Sequence, residues 1–137
     1  MVLSYNFLEK SKLFGGEIIM NNVGARLGLS FICPNLNQPM TLGPNSILIR
    51  TNCNVFNQRM FSLQSSIDYI RSISGNTAMP KFNKTEFKKL VFIQPPLHIQ
   101  QSFAAKIESI EKQKAAITQS IAETQRLFDY TMDKYFG

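Results

Sequence analysis

The chain has a single histidine, His98, and two cysteines, Cys33 and Cys53, twenty residues apart with no CxxC pair. A zinc or similar metal site would lack ligands, and the expected state is two reduced cysteines at partly buried strand positions. GxSxG, GxxxxGKS/T, HExxH and GxGxxG are missing as well. Without them no nucleophile, phosphate cradle or metal pair stands out, so no catalytic residue, metal or cofactor is expected. No apolar run reaches the roughly 18 residues of a membrane span, and the first residues, MVLSYNFLEKSKLFGG, lack the apolar centre and cleavage site of a signal peptide. These absences point to a cytoplasmic chain without a membrane partner.

Acids are scarce in one part only. Residues 1–96 carry ten Lys or Arg against four acids, a net of +6, whereas residues 97–137 carry five of each sign and balance to zero. A basic part joined to an electrically neutral connector suits a module that binds a polyanion, and equally a merely basic soluble domain. With 44% hydrophobic residues in 137, the chain can build one core.

The elements follow from periodicity. GEIIMNN (16–22) and LGLSFIC (27–33) predict short strands around the loop VGAR, where Gly24 and Gly28 permit turn conformations, and SILIRT (46–51) predicts a third strand. In residues 55–73, Phe56, Met60, Phe61, Leu63, Ile67, Ile70 and Ile73 recur at helical intervals, as two short helices packed on the sheet. Asn83 with Glu86 three residues on predicts a helix-capping pair before a short basic turn. Leu90-Val91-Phe92-Ile93 predicts a strand, ended by Pro95-Pro96, which also suit the start of a helix.

That last helix differs in kind. Steps of four and three residues from Phe103 give Phe103, Ile107, Ile110, Lys114, Ile117, Ile121, Thr124, Phe128, Thr131 and Tyr135, seven of them apolar or aromatic. This is a heptad seam, and no Gly or Pro interrupts residues 97–136. A continuous helix there would run about 60 Å at 1.5 Å per residue. The seam needs a second helix, or else the helix folds back on its own domain. The fold class expected is α+β: a small mixed sheet with short helices in residues 1–96, then one long C-terminal coiled-coil helix in residues 97–137.

QPPL (94–97) brings to mind the polar-Pro-Pro-aromatic site of amino methyltransferases, but Leu97 stands where a base-stacking aromatic is needed, and no glycine-rich adenosylmethionine loop precedes it. The longer run SGNTAMPKFNKTEFKKLVFIQPPLHIQQSFAAKIESIEKQKAAI resembles the end of a target-recognition domain and the helix after it in specificity subunits of type I restriction-modification systems. Gly75, Thr77, Phe82, Asn83, Phe87, Leu90, Pro95, Pro96, Leu97, Gln100, Gln101 and Ile107 follow that family's pattern in order, and GGEIIMNNVGARLG is similar to its Gly-Asp-Ile-Leu strand and turn. Ala78, Glu17, Ile99 and Phe103 depart from it.

The resemblance implies a non-catalytic subunit that reads one half of a split double-stranded DNA target and docks methyltransferase (modification) and restriction subunits. It also implies a truncated, half-length form, N-terminally incomplete, with one recognition domain and one helix. Arg26, Lys81, Lys84, Lys88 and Lys89 are the expected DNA-binding residues, with Asn21, Asn22 and Asn76 weaker candidates. Phe103, Ile107, Ile110, Ile117, Ile121 and Phe128 are the expected helix-pairing residues, in an antiparallel homodimer. A helix-mediated assembly module without specific DNA recognition, as in a non-functional or cassette fragment, stays open as the alternative.

Overall fold

A computed structural model describes residues 12–35, 37–38, 40–75 and 77–137. Five strands come first: β1 (Lys12–Leu13), β2 (Ile18–Asn21), β3 (Ser30–Ile32), β4 (Met40–Thr41) and β5 (Ser46–Ile49). Helices α1 (Asn54–Phe61), α2 (Gln64–Ser72), α3 (Lys84–Phe87) and α4 (Leu97–Phe136) follow. The α+β architecture is the expected one, although the described strand pairs are all antiparallel where a mixed sheet was expected. Most of the first residues, MVLSYNFLEKSKLFGG, and Asn76 lie outside the described residues. Among the described residues no helix is long and apolar enough to cross a membrane.

β2 lies between β3 and β5 and is covered on both faces, which is why its sequence is a continuous apolar run rather than an alternation. Ile18 and Met20 point into the main core with Leu27, Ile47, Phe61, Ile70 and Phe82, while Ile19 joins Leu13 and Cys33 in a smaller cluster. The two helices expected over 55–73 form, and Phe61, Ile67 and Ile70 are their buried residues on the core side. Between β2 and β3 the chain turns through Gly24 (φ +81°) and Gly28 (φ +87°), and at Gly28 a side chain would be strained by the positive φ, although it would meet Ile70 and Ile67 of α2 only at ordinary contact distance.

Glu17, beside β2, is buried although it is charged. Its two carboxylate oxygens accept from the Phe14 N–H at 2.6 Å and the Gly15 N–H at 2.8 Å. Burial by itself would raise its pKa, but the N–H groups of Phe14, Glu17 and Gly15 and the positive charge of Arg50 outweigh that, and the pKa lies below the usual carboxylate range. Cys33 is buried and Cys53 partly buried, both free thiols. Burial, reinforced by the Glu17 charge, pushes the Cys33 thiol upward, towards the neutral form.

One predicted element is absent. Residues 90–93 belong to no strand ladder. Their alternation is present: Leu90 and Phe92 pack on the main core, and Val91 and Ile93 face solvent, 80% and 85% exposed. Phe92 is fixed by rings, 5.1 Å from Phe61 and 5.5 Å from Tyr69, and the Val91 N–H donates to the Tyr69 hydroxyl at 3.2 Å. The segment is held by side chains lying on helices, which offer no strand edge, so a β-type sequence makes no β ladder.

Candidate nucleic-acid interface

The turn VGAR and the loop before α3 are far apart in sequence, yet the backbone joins them. Val23 bridges to Lys81, the Gly24 N–H donates to the Pro80 carbonyl at 2.8 Å, and the Phe82 N–H donates to the Asn22 carbonyl at 3.1 Å. The Asn22 side-chain amide donates back to the Phe82 carbonyl at 3.0 Å, and the buried Phe82 ring anchors the union. Arg71, in the last turn of α2, holds the turn from the other side, Nε donating to the Leu27 carbonyl (3.0 Å) and Nη2 to the Ala25 carbonyl (3.2 Å). Between them opens a cleft of about 320 Å³ lined by Gly24, Ala25, Leu27, Arg71, Gly75 and Thr77. Nothing lies within 4 Å of where a side chain would stand on Gly24 or Gly75, so a ligand can approach the backbone there. Arg26 and Lys81 are exposed on the two segments that form this lip.

A second cleft is built on α3. Its start is fixed by a reciprocal cap, the Glu86 N–H donating to Asn83 Oδ1 at 2.8 Å and the Asn83 N–H to Glu86 Oε2 at 2.9 Å, as the sequence spacing predicts. The helical step places Lys84 and Lys88 on one side. They line a cleft of about 290 Å³ with Ile47, Ile49, Arg50 and Phe87, along β5, which is an edge strand. Arg50 donates to the Lys12 carbonyl at 2.9 Å and lies 6.0 Å from the Phe14 ring centroid, its guanidinium oriented by contacts other than an ion pair.

The expected cations thus divide. Lys84 and Lys88 line the second cleft, whereas Arg26 and Lys81 are chain neighbours of residues that line the first, Ala25 with Leu27 and Pro80, and Lys89 follows α3 in a turn; these three lie outside both linings. Among the described residues none of these five makes an ion pair. Of the weaker candidates, Asn22 donates its amide to Phe82 while its Oδ1 is buried without a hydrogen-bond partner, and Asn21 accepts from the Ser46 hydroxyl at 3.4 Å. Arg50 and Arg71 were not expected. In the sequence they are two arginines ending an apolar-rich segment, and only the packing of β5 and α2 places them at clefts.

The long helix forms as predicted, over 40 residues. Pro96 caps it, its carbonyl accepting from Ile99 and Gln100. Polar side chains lock its root to α1: Gln94 donates to Asn57 Oδ1 at 2.7 Å, and the buried Gln100 donates to the Pro95 carbonyl at 2.7 Å and to Gln94 at 3.4 Å. Phe56 and Phe103 meet edge to face at 5.6 Å, and Arg59 pairs with Glu111 at 2.7 Å. Beyond Ile107 every residue of α4 is exposed. Ile110, Ile117, Ile121 and Phe128 all face solvent, and Phe103 is about half covered while Ile107 is partly buried. The helix does not fold back on its own domain.

A family model described as "Type I restriction modification DNA specificity domain" matches residues 3–125. No curated protein matches the chain.

Proposed function

The chain belongs to the type I restriction modification DNA specificity domain family, and from that premise we propose that residues 1–96 read one half of a split double-stranded DNA target while α4 supplies the spacer. In this reading the subunit catalyses nothing. Adenosylmethionine chemistry and cleavage belong to the methyltransferase and restriction subunits, the former docked through α4.

The observation that carries the reading is the fusion of the 22–27 turn and the 77–82 loop into one lip, together with a second cleft and five exposed cations, none of which makes an ion pair among the described residues. Duplex DNA is a dense line of phosphates, and unpaired Lys and Arg bind it by releasing counterions. Lys84, Lys88, Lys89 and Arg50 would hold phosphates. Arg26 and Lys81 stand beside the open glycine backbone, where base edges can be approached.

The exposed seam of α4 supports an antiparallel homodimer, in which the α4 of a second copy covers the apolar stripe. Two DNA domains then face the two halves of a target at a fixed separation.

The test is DNA binding as a function of salt. Replacing Lys81, Lys84, Lys88 and Lys89 with Ala should weaken binding and reduce the slope of log K against log salt by roughly 0.9 for each phosphate no longer neutralised. An unchanged slope would remove these lysines from the interface. The second reading, an assembly module without specific DNA recognition, draws on the exposed seam alone, and weak, salt-insensitive DNA binding by the parent chain would favour it.

A further inference from the structure

Between α1 and α4 runs an apolar groove of about 580 Å³, walled by Phe56, Met60 and Leu63 on one side and Phe103, Ile107 and Ile110 on the other. It opens into the exposed seam. We propose that this groove receives the C-terminal turns of α4 from a second copy of the chain, with Met132 and Gln125 of that copy lying against α1. Each helix end is then clamped by the other copy's DNA domain as well as by its helix. The proposal rests on the homodimer reading and goes beyond a two-helix seam, because α1 becomes part of the interface.

The heptad fixes the register. In α4, Phe103, Ile110, Ile117, Thr124 and Thr131 occupy d positions, and Ile107, Lys114, Ile121, Phe128 and Tyr135 occupy a positions. Antiparallel helices pair a with d, which sets Ile117 opposite Ile121, Ile110 opposite Phe128 and Phe103 opposite Tyr135, so apolar or aromatic residues meet at each of these layers.

The side on which α1 lies then selects what enters the groove. α1 covers the e positions of α4, since Ala104 is buried there and Glu111 is bonded to Arg59. Antiparallel helices bring e beside e, so Met132 and Gln125 of the second copy arrive on the α1 side. Met132 comes opposite the small Ala104, next to the Phe56 and Phe103 rings, and a thioether suits such an aromatic edge. In the lone chain Met132 is exposed.

Charge selects the same orientation. Residues 97–116 carry Lys106, Lys112 and Lys114 against Glu108 and Glu111, a net of +1, and Arg59 at the groove rim makes it +2. Residues 117–137 carry Arg126 and Lys134 against Glu123, Asp129 and Asp133, a net of −1. Antiparallel pairing sets these opposite signs face to face, and parallel pairing would oppose like to like.

Engineered disulfides test the groove. Leu63 lines the groove, whose α4 wall ends at Lys114, and Gln125 lies 11 residues beyond Lys114 along the same helix, roughly 16 Å at 1.5 Å per residue. A bond within one chain is therefore excluded by the ~7 Å Cα limit. Both positions are exposed in the single chain, so Leu63→Cys with Gln125→Cys, in a Cys53→Ser background, leaves the monomer fold intact. Mild oxidation should give a covalent dimer, whereas Leu63→Cys with Leu127→Cys, on the opposite flank of the seam, should not. Leu63→Asp should weaken the dimer by roughly tenfold or more. If sedimentation shows the parent chain dimeric but the Leu63/Gln125 pair fails to cross-link and Leu63→Asp dimerises normally, the groove proposal is overturned while the homodimer stands. A monomeric parent chain would overturn both.

Discussion

Residues 12–96 and the outer two-thirds of α4 use the same apolar side chains to opposite ends. In the domain Ile18, Met20 and Ile70 have no exposed surface, whereas on the helix Ile110 and Ile117 are 54% and 59% exposed. The difference is in what the chain itself can bring to cover them. The sheet has helices folded across it within a short stretch of sequence, but a 40-residue helix leaves its own domain after about four turns, past Glu111. An apolar stripe therefore states that something must cover it and not whether the cover belongs to the same molecule.

The comparison can be broken from the helix side first. Ile110→Asp together with Ile117→Asp places four unpaired charges in an antiparallel dimer, at a cost on the order of 6 kcal/mol or more. Sedimentation should then find a monomer, while the thermal transition of the domain remains. If the domain unfolds as well, the two regions are not separable in the way their burial suggests.

From the domain side, Phe61→Ala removes the ring that touches both Phe87 and Phe92, and should cost about 3–5 kcal/mol irrespective of protein concentration. Ile121→Ala deletes a comparable apolar group on the helix and should change monomer stability by less than about 0.5 kcal/mol. Its effect should surface only in the concentration dependence of association. Denaturant unfolding at two protein concentrations separates the cases, and a concentration-independent loss for Ile121→Ala would mean that its cover is intramolecular.

The smallest effect sharpens the electrostatic side of the comparison. Because the folded domain holds the Glu17 pKa below its unfolded value, the stabilisation from its carboxylate is complete above the unfolded pKa and drains away as pH falls through the lower folded one. Glu17→Gln should be less stable than the parent at neutral pH and lose less on acidification, so that the two curves converge in acid. Acid-limb curves of equal steepness would show that Glu17 carries no such linkage.

Much of this protein is set locally and was legible in the residues alone. The cap of α3 needs only Asn83 and Glu86 three apart, the turn at Gly24 and Gly28 only residues that accept positive φ, and the seam of α4 only its 3.5-residue period. The charge division at Pro96 is likewise a property of the chain, independent of its fold. Tertiary structure alone decided the rest, because it depends on which surfaces meet. Residues 90–93 have the composition of a strand, but the rings of Phe61 and Tyr69 hold them against helices, where no backbone edge is on offer. Arg50 and Arg71 look like any surface arginine until β5 and α2 bring them to clefts with Lys84 and with Gly24. The groove at Phe56 and Leu63 exists only because Asn57, Gln94 and Gln100 fix the root of α4 beside α1. Period and propensity are properties of neighbours along the chain, whereas a cleft is a property of neighbours in space, and those neighbours are chosen by packing of the whole.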